Sequence, residues 1–219
     1  MIELKHFRKQ FREKVILNDI QVSFEEAKIV GIVGESGAGK TTLLNLISLL
    51  DQDFEGERII SSIDTRHLSK KKREKLRLDT FSYVFSDANL LAYLSVRENI
   101  LLPLQLQKKA IDEVRLNDIS QIMKISSLLD RKDVNTLSEG EKQRVSICRA
   151  LMNQTPFLVC DEPTAHLNHE LSQEILHLLS HISHTMNRGV IVSTHDESLL
   201  SSFDVVYQIR DTKQYECKK

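Results

Sequence analysis

Eight residues between 34 and 41, GESGAGKT, have the types and the spacing needed to bind phosphate groups. They match G-x-x-x-x-G-K-[ST], and they follow an apolar run and open an amphipathic helical pattern, which is the context that this motif requires. Glycines let consecutive backbone N–H groups point into one concavity that accepts phosphate oxygens. The N-terminus of the following helix adds partial positive charge. The segment therefore predicts a phosphate-binding loop, and a chance glycine-rich turn is the alternative.

The side chains of this loop are predicted to hold a nucleoside triphosphate and its metal ion. Lys40 reaches the β- and γ-phosphates, which also makes it a predicted catalytic residue, and Thr41 places its hydroxyl on Mg²⁺. We therefore predict ATP and Mg²⁺ as the cofactors. The predicted nucleotide-binding residues of the loop are Gly34, Glu35, Ser36, Gly37, Ala38, Gly39, Lys40, Thr41 and Thr42.

Two adjacent acids end the apolar run 157–160 in the segment FLVCDEPTAHLN. Carboxylates that are desolvated side by side repel each other, so a cation or a catalytic water is needed to explain them. We predict that Asp161 holds Mg²⁺ through a water molecule and that Glu162 polarises the attacking water. The alternative is a strand end that carries ordinary surface acids.

A histidine, His195, follows the apolar run 190–193 in the segment VIVSTHDESLL. In a parallel sheet, ligands bind beyond the carboxyl ends of the strands, which is where His195 is placed. We therefore predict a catalytic role, as a polar contact to the γ-phosphate or to the attacking water. A lone histidine with a purely structural role is the alternative.

These loops meet at one edge only if a parallel sheet positions them, and the apolar pattern predicts such a sheet. Short runs rich in Val and Ile alternate with longer helical patterns, which is typical of an α/β fold with helices on both faces. The predicted strands are 28–33, 81–85, 157–160, 190–193 and 205–209. The predicted helices lie near 40–50, 69–78, 96–107, 112–128, 139–153 and 169–187.

The stretch 87–153 has helical patterns and no clear strand, so we predict an α-helical subdomain inserted into the sheet domain. The nucleotide-binding core lobe would then comprise 1–86 and 154–219, with a small N-terminal antiparallel β subdomain. The 7 glycines and 3 prolines form no flexible linker, which favours a single domain over 1–219.

The amino-acid composition limits which other classes of protein this chain could belong to. Of 219 residues, 41% are hydrophobic and 28% are charged, as in a globular protein with a buried core. The net charge of −1 argues against a dedicated nucleic-acid binder. No apolar run reaches the ~18 residues that span a bilayer, so any membrane spans are expected in another chain. The 3 cysteines lack metal-binding spacing and are expected to be reduced thiols of a cytoplasmic protein.

The segment TLSEGEKQRVSICRAL, residues 136–151, contains a glycine that its helical pattern does not explain. Ser138 and Glu141 predict a capping box at the start of a helix. Gly140 weakens the first turn unless something has to come close to its bare backbone. A serine hydroxyl, a bare backbone and the positive end of a helix would together suit an approaching anion.

In this order, the segments GESGAGKT, LSEGE, VCDEPT, AHLN and STHD resemble the motifs of the ATP-binding subunit of ABC transporters, over nearly the whole chain. The resemblance implies an α/β, RecA-like P-loop NTPase core with a parallel sheet, in one ABC ATPase domain that hydrolyses ATP. It implies that two ATPase subunits, identical or different, meet head to tail, so that Ser138 and Gly140 contact the γ-phosphate bound by the partner. It also implies a separate transmembrane permease, a cytoplasmic location on the inner face of the cell membrane, and no nucleic acid.

Further matches concern the nucleotide base and the transport branch. Phe11 lies where the family has an aromatic ring that stacks on adenine, and simple packing is the alternative. The segments 89–104 and GKTTLLNLISLLD are similar to the macrolide-efflux, lipoprotein-release and bacteriocin-export branch. That branch implies export or extraction of a peptide, lipid-linked or drug-like substrate. The alternatives are an import-type ATPase and a soluble ABC-type ATPase that acts on nucleic acid or ribosomes.

Four residues depart from the family pattern. Ser86 stands where the family has a glutamine that approaches Mg²⁺, so Ser86 is a candidate metal contact through water. Glu139 and Glu141 replace glycine and glutamine, and they add negative charge near an incoming γ-phosphate. Asn168 replaces an aspartate, which preserves shape and removes charge.

Two clusters are expected to be ordinary solvated surface. Residues 70–77, KKKREKLR, are strongly basic, and an exposed helix face is favoured over a nucleic-acid patch. His177, His181 and His184 lie at i, i+4 and i+7, opposite an apolar stripe of the same helix, so they are expected to face solvent rather than bind zinc.

Overall fold

The computed structural model describes the backbone of residues 1–217 and the side chains of residues 1–214. Cys148 and Cys160 are free and buried, and burial raises the pKa of both thiols. The side chain of Cys217, which was also expected to be a reduced thiol, lies outside the described residues. No helix in the described part is long and apolar enough to cross a membrane.

A six-stranded sheet forms the centre of the molecule, as the apolar runs predicted. Its strands are β3 (Ile29–Val33), β6 (Phe81–Val84), β7 (Phe157–Asp161), β8 (Gly189–Thr194), β9 (Val205–Arg210) and β10 (Lys213–Cys217), in the order β10-β9-β3-β8-β7-β6. All except β10 run parallel to their neighbours. The antiparallel strand β10 was not predicted, because its polar sequence carries no strand pattern.

A second, antiparallel sheet is formed by four strands within the first 64 residues, two of them before β3 and two after it, which confirms the predicted N-terminal β part. It consists of β1 (Ile2–Phe11), β2 (Lys14–Phe24), β4 (Glu55–Ile60) and β5 (Ile63–Asp64), in the order β2-β1-β4-β5. On β1, Ile2, Leu4 and Phe7 are buried. The apolar side chains of β1 and β2 pack with one face of the central sheet and form one of two cores.

In the part of the chain that the structure describes, six α-helices connect and cover the strands. They are α1 (Lys40–Ile47), α2 (Lys70–Thr80), α3 (Val96–Leu106), α4 (Glu113–Ile122), α5 (Glu139–Met152) and α6 (His169–Thr185). The prediction of one helix over 112–128 was wrong in its end, because Lys124 adopts a left-handed φ of 55° and terminates the helix. A 3₁₀ turn at Ser126–Leu128 follows.

The helices α3, α4 and α5 occupy the stretch between 87 and 153, and α5 packs against the other two. Their apolar faces join α6 and one face of the central sheet in the second core. The described residues of this stretch include no strand. The exact subdomain boundaries, 87–153, stay a prediction.

The two clusters that were expected to be solvated surface are exposed. The charged side chains of α2 face solvent over most of its length. His177, His181 and His184 are exposed on α6, while Ile175, Leu179 and Ile182 of the same helix are buried. The helical spacing thus predicted the orientation of α6 correctly, and the run of charges predicted that α2 is exposed.

Candidate active site

The phosphate-binding loop joins β3 to α1, and its glycines are required by the backbone. Gly37 and Gly39 lie at φ 81° and 99°, in the left-handed region that side chains disfavour. A Cβ atom on Gly34 would lie 2.6 Å from the carbonyl oxygen of Ile209, so no larger residue fits there. The loop therefore presents a bare backbone at the N-terminus of α1.

Lys40, the first residue of α1, turns its side chain back into this loop. Its Nζ donates hydrogen bonds to the carbonyl oxygens of Gly34 at 2.9 Å and Glu35 at 3.0 Å. The same Nζ lies 3.1 Å from Oε1 of Glu162, and the Lys40 side chain is 3% exposed. A buried ammonium group thus links the loop after β3 to the acids after β7.

Asp161, the last residue of β7, is held by two hydroxyl groups. Thr41 Oγ1 donates to Asp161 Oδ1 at 3.1 Å, and Ser193 Oγ donates to the same oxygen at 2.7 Å. Ser193 Oγ also accepts a hydrogen bond from the backbone N–H of Glu162 at 2.9 Å. The structure therefore brings together Thr41 and Asp161, the two residues predicted to hold Mg²⁺, and Ser193 fixes both acids from the neighbouring strand β8.

Glu162 lies between the ammonium group of Lys40 and the ring of His195, whose Nδ1 is 3.0 Å from Glu162 Oε2. Burial alone would raise the pKa of Glu162, but the hydrogen bond and charge of Lys40, with the bond from His195, outweigh it and hold the pKa below its ordinary value. Glu162 is therefore an ionised hydrogen-bond acceptor at neutral pH. Its φ of 44° is unusual for a non-glycine residue, and such backbone strain is concentrated at functional sites.

Two further residues of the site were missed by the sequence analysis. Ser193 ends an apolar run, and only its pairing with Asp161 across β7 and β8 reveals its role. Tyr83, on β6, is half-buried near Asp161, and burial with the nearby carboxylate raises the pKa of its phenol. Tyr83 Oη also donates to Asn45 Oδ1 at 3.4 Å. Both residues can be recognised only from which strands are neighbours in the sheet, and the sequence alone does not give that order.

Phe11 and Ser86 lie outside this network. Phe11 ends β1 with its ring 50% exposed, and Lys9 Nζ lies 4.5 Å from the ring centroid. Residues 14–16, just after Phe11, line a polar groove together with residues 34–38 of the loop. Ser86 follows β6, at the same edge of the sheet as Asp161, and is half-buried.

The predicted capping box at the start of α5 is confirmed. Ser138 Oγ accepts from the backbone N–H of Glu141 at 3.3 Å, and Glu141 Oε2 accepts from the Ser138 backbone at 2.8 Å and from its hydroxyl at 2.9 Å. These bonds hold the pKa of Glu141 below its ordinary value. Glu139 pairs with Lys142 at 2.7 Å. Both acids that depart from the family pattern are therefore turned toward partners of their own chain.

Gly140 has no conformational reason to be glycine. Its φ is not in the left-handed region, and a Cβ atom would meet only ordinary contacts, the nearest being Leu171 Cδ1 at 3.6 Å. Within residues 1–214, the side chain of Ser138 hydrogen-bonds only with Glu141. The fold of one subunit thus leaves the bare backbone at Gly140 unexplained.

The loop, the acids, the histidine and the strand order define a P-loop ATPase. A family model described as ABC transporter matches residues 17–165, which is more than half of the chain. The chain belongs to this family and is an ATP-binding, ATP-hydrolysing subunit of an ABC transporter.

Relatives cover nearly the full chain. The uncharacterized ABC transporter ATP-binding protein MJ0796 of Methanocaldococcus jannaschii is 34% identical over 220 residues, 96% of this chain and 94% of the relative. The macrolide export ATP-binding/permease protein MacB of Campylobacter jejuni is 33% identical over 96% of this chain, which spans 33% of MacB. The methionine import ATP-binding protein MetN of Legionella pneumophila is 38% identical over 90% of this chain and 58% of MetN.

The solved structures confirm the predicted fold class. The dimeric structure of MJ0796 bound to ADP and Pi superimposes with a TM-score of 0.86 at 29% identity, over 100% of both chains.

Proposed function

We propose that this chain binds Mg²⁺–ATP at its phosphate-binding loop, closes on it with a second ATPase subunit, and hydrolyses it to drive a separate transmembrane permease. The observation that carries the proposal is the convergence of Lys40, Thr41, Asp161, Glu162 and His195 at one edge of the sheet. Each of these side chains has the chemistry that its place in phosphoryl transfer needs.

The chemical step follows from the network around Glu162. The N–H groups of the loop would hold the phosphates, and Lys40 would carry its charge to the β- and γ-phosphates. Leaving Glu162 for the phosphates, Lys40 would free one carboxylate oxygen, which can then orient a water molecule and take its proton. His195, already 3.0 Å from Glu162, would steady that carboxylate and contact the γ-phosphate.

The residues present fit a Mg²⁺ ion. Thr41 and Asp161 offer hard oxygen donors within 3.1 Å of each other. Mg²⁺ is usually bound by one or two such groups, with waters and substrate phosphates completing its shell. The described residues include no cluster of three or more His, Cys, Asp or Glu that would hold a metal alone. When bound, Mg²⁺ would neutralise charge on the phosphates, and Ser86 would reach it through a water molecule.

The partner subunit explains the start of α5. MJ0796, a relative of this chain, forms a dimer in its solved structure. If two copies, or two related chains, meet head to tail, the Ser138 hydroxyl and the bare backbone at Gly140 would face the γ-phosphate held by the other subunit. Phe11 is half-exposed and has Lys9 Nζ 4.5 Å from its ring centroid, and it would stack on adenine.

An apolar groove offers a docking surface for the permease. It lies where β6 and α2 of the core meet α3 and α5, and Leu78, Phe85 and Leu106 leave large apolar areas exposed around it. Exposed apolar surface of this kind marks interaction sites. This arrangement supports the subdomain boundary at 87–153 and a location on the inner face of the cell membrane.

The likeness to MacB favours export or extraction, and the likeness to MetN makes import the second candidate.

One experiment tests the whole proposal. The chain is co-expressed with a candidate permease from the same genome, purified through a tag on the permease, and assayed for ATP hydrolysis with Mg²⁺ and with EDTA. We expect co-purification and Mg²⁺-dependent turnover. Turnover in EDTA, or an ATPase that never associates with a membrane subunit, contradicts the proposal.

Gly140→Ala is expected to separate stability from activity. Alanine stabilises a helix by about 1 kcal/mol over glycine, and its Cβ has room in the subunit. Gly140 is buried, and the methyl group would lie against Leu171 and Leu167 of its own chain. If dimer closure brings the partner's γ-phosphate to this backbone, the methyl group would hinder that approach, and the ATPase rate should fall by at least about tenfold. Thermal unfolding and ATPase assays on the same preparation measure both effects. An unchanged rate would show that no ligand approaches this backbone.

A further inference from the structure

The helix α2 carries a dense positive charge that the proposed function does not use. It holds Lys70, Lys71, Lys72, Arg73, Lys75 and Arg77, against only Glu74 and Asp79. Among residues 1–214, no acidic side chain forms an ion pair with any of these six basic groups. The chain as a whole has a net charge of −1, so this helix is a strongly basic patch on a protein that is otherwise close to neutral.

Within residues 1–214, the acidic side chains that precede α2 on the antiparallel sheet are already paired with basic groups outside α2. Asp64 and Glu57, on the neighbouring strands, are already paired with Arg66. Beneath the helix lies the buried Arg58, whose pKa is lowered to about 10, first by burial and then by the positive charge of Arg73. Asp51 acts on Arg58 in the opposite direction, but Asp51 is itself paired with Lys9, so positive charge predominates around α2.

The position of α2 indicates which way this charge faces. Arg77 and Leu78 of α2 line the apolar groove that we assign to the permease. Lys75 and Lys71 lie one and two turns before Leu78, on the same side of the helix, and all three side chains are exposed. The basic face thus borders the side of the molecule that a membrane protein would cover.

We propose that α2 binds the anionic phospholipid surface of the membrane while the neighbouring groove holds the permease. This proposal rests on the proposed function for the orientation of the subunit. A cluster of 4–8 basic residues on a helix is the pattern that anionic lipid surfaces attract.

The shape and composition of α2 favour lipid over the alternatives. Four of its six basic residues are lysines, which are flexible point charges, whereas bidentate recognition of carboxylate or phosphodiester groups favours arginine. The basic face is the outside of a helix and not a cleft, so it suits a broad, diffuse anionic surface. A nucleic-acid interface would extend over more of the molecule, and the net charge of −1 opposes it.

Flotation of the purified chain with lipid vesicles tests the proposal. We compare vesicles of phosphatidylcholine alone with vesicles that also contain phosphatidylglycerol. The wild type should float only with the anionic vesicles, and added salt should release it, because the attraction is screened. The variant Lys70→Gln/Lys71→Gln/Lys72→Gln/Lys75→Gln should lower the partition coefficient at least about a hundredfold.

A matched control removes the same charge elsewhere. Lys108, Lys109, Lys132 and Lys213 are exposed and lie outside α2, and their combined change to glutamine should leave flotation nearly unaltered. Equal losses in the two variants, no flotation of the wild type, or tighter binding to duplex DNA than to the anionic vesicles would each overturn the proposal. Basal ATPase activity should be the same in both variants and in the wild type, so failure of the lipid proposal is distinguishable from failure of the proposed function.

Discussion

Glu162→Gln is expected to lower the ATPase rate by about 10²–10⁴-fold while ATP binding is retained. The amide preserves the shape of the side chain but cannot take a proton from the attacking water. In the structure, Glu162 contacts both Lys40 and His195, so no other described carboxylate can replace it in this network. Removing its negative charge also frees Lys40, so ATP affinity should stay the same or rise.

Three measurements check this prediction. Steady-state turnover reports the chemical step, a nucleotide titration reports binding, and a sizing column with ATP reports association, since a closed dimer that cannot hydrolyse its ATP should accumulate. Glu113→Gln makes the same chemical change on the surface of the helical region and should leave all three unchanged. A Glu162→Gln protein that binds ATP tightly yet stays monomeric would remove the main support for a shared site.

Much of this site was predictable because its parts are local. The loop glycines, Lys40 and Thr41 stand in one contiguous motif, and Asp161 and Glu162 end a run of four apolar residues. Because parallel strands present their carboxyl ends at one edge, strand–loop order alone predicts that these groups meet. The central strands were predicted well for a related reason, since strands buried on both faces are continuous apolar runs.

The features of the site and of the fold that were not predicted depend mainly on contacts between distant parts of the chain. Ser193 fixes Asp161 only because β7 and β8 are neighbours, and the ion pair between Lys40 and Glu162 joins residues from two separate loops. The strand β10 forms through pairing with β9 rather than through its own apolar pattern. Lys124 ends α4 by adopting a left-handed conformation, which cannot be predicted from a lysine in the sequence.

Ser138→Arg is expected to abolish ATP hydrolysis without weakening ATP binding to the isolated subunit. The hydroxyl of Ser138 caps α5 and lies at its N-terminus, where arginine would place a bulky side chain in the interface that we propose with the partner. Loss of the cap costs about 1 kcal/mol of stability, and a positive charge at a helix N-terminus costs about 0.3–1 kcal/mol more. The subunit should therefore fold, with a modestly lower melting temperature.

The location of the defect distinguishes a shared site from a site within one chain. A nucleotide titration of the monomeric variant should match the wild type, while ATP-driven dimerisation in a Glu162→Gln background should be lost. Ser127→Arg is the matched control, because Ser127 is an exposed serine of the same helical region and its change should affect neither measurement. If the Ser138→Arg monomer binds ATP many-fold more weakly, Ser138 acts on the nucleotide of its own chain, because a monomer has no partner whose nucleotide could be affected. That result would contradict the shared site.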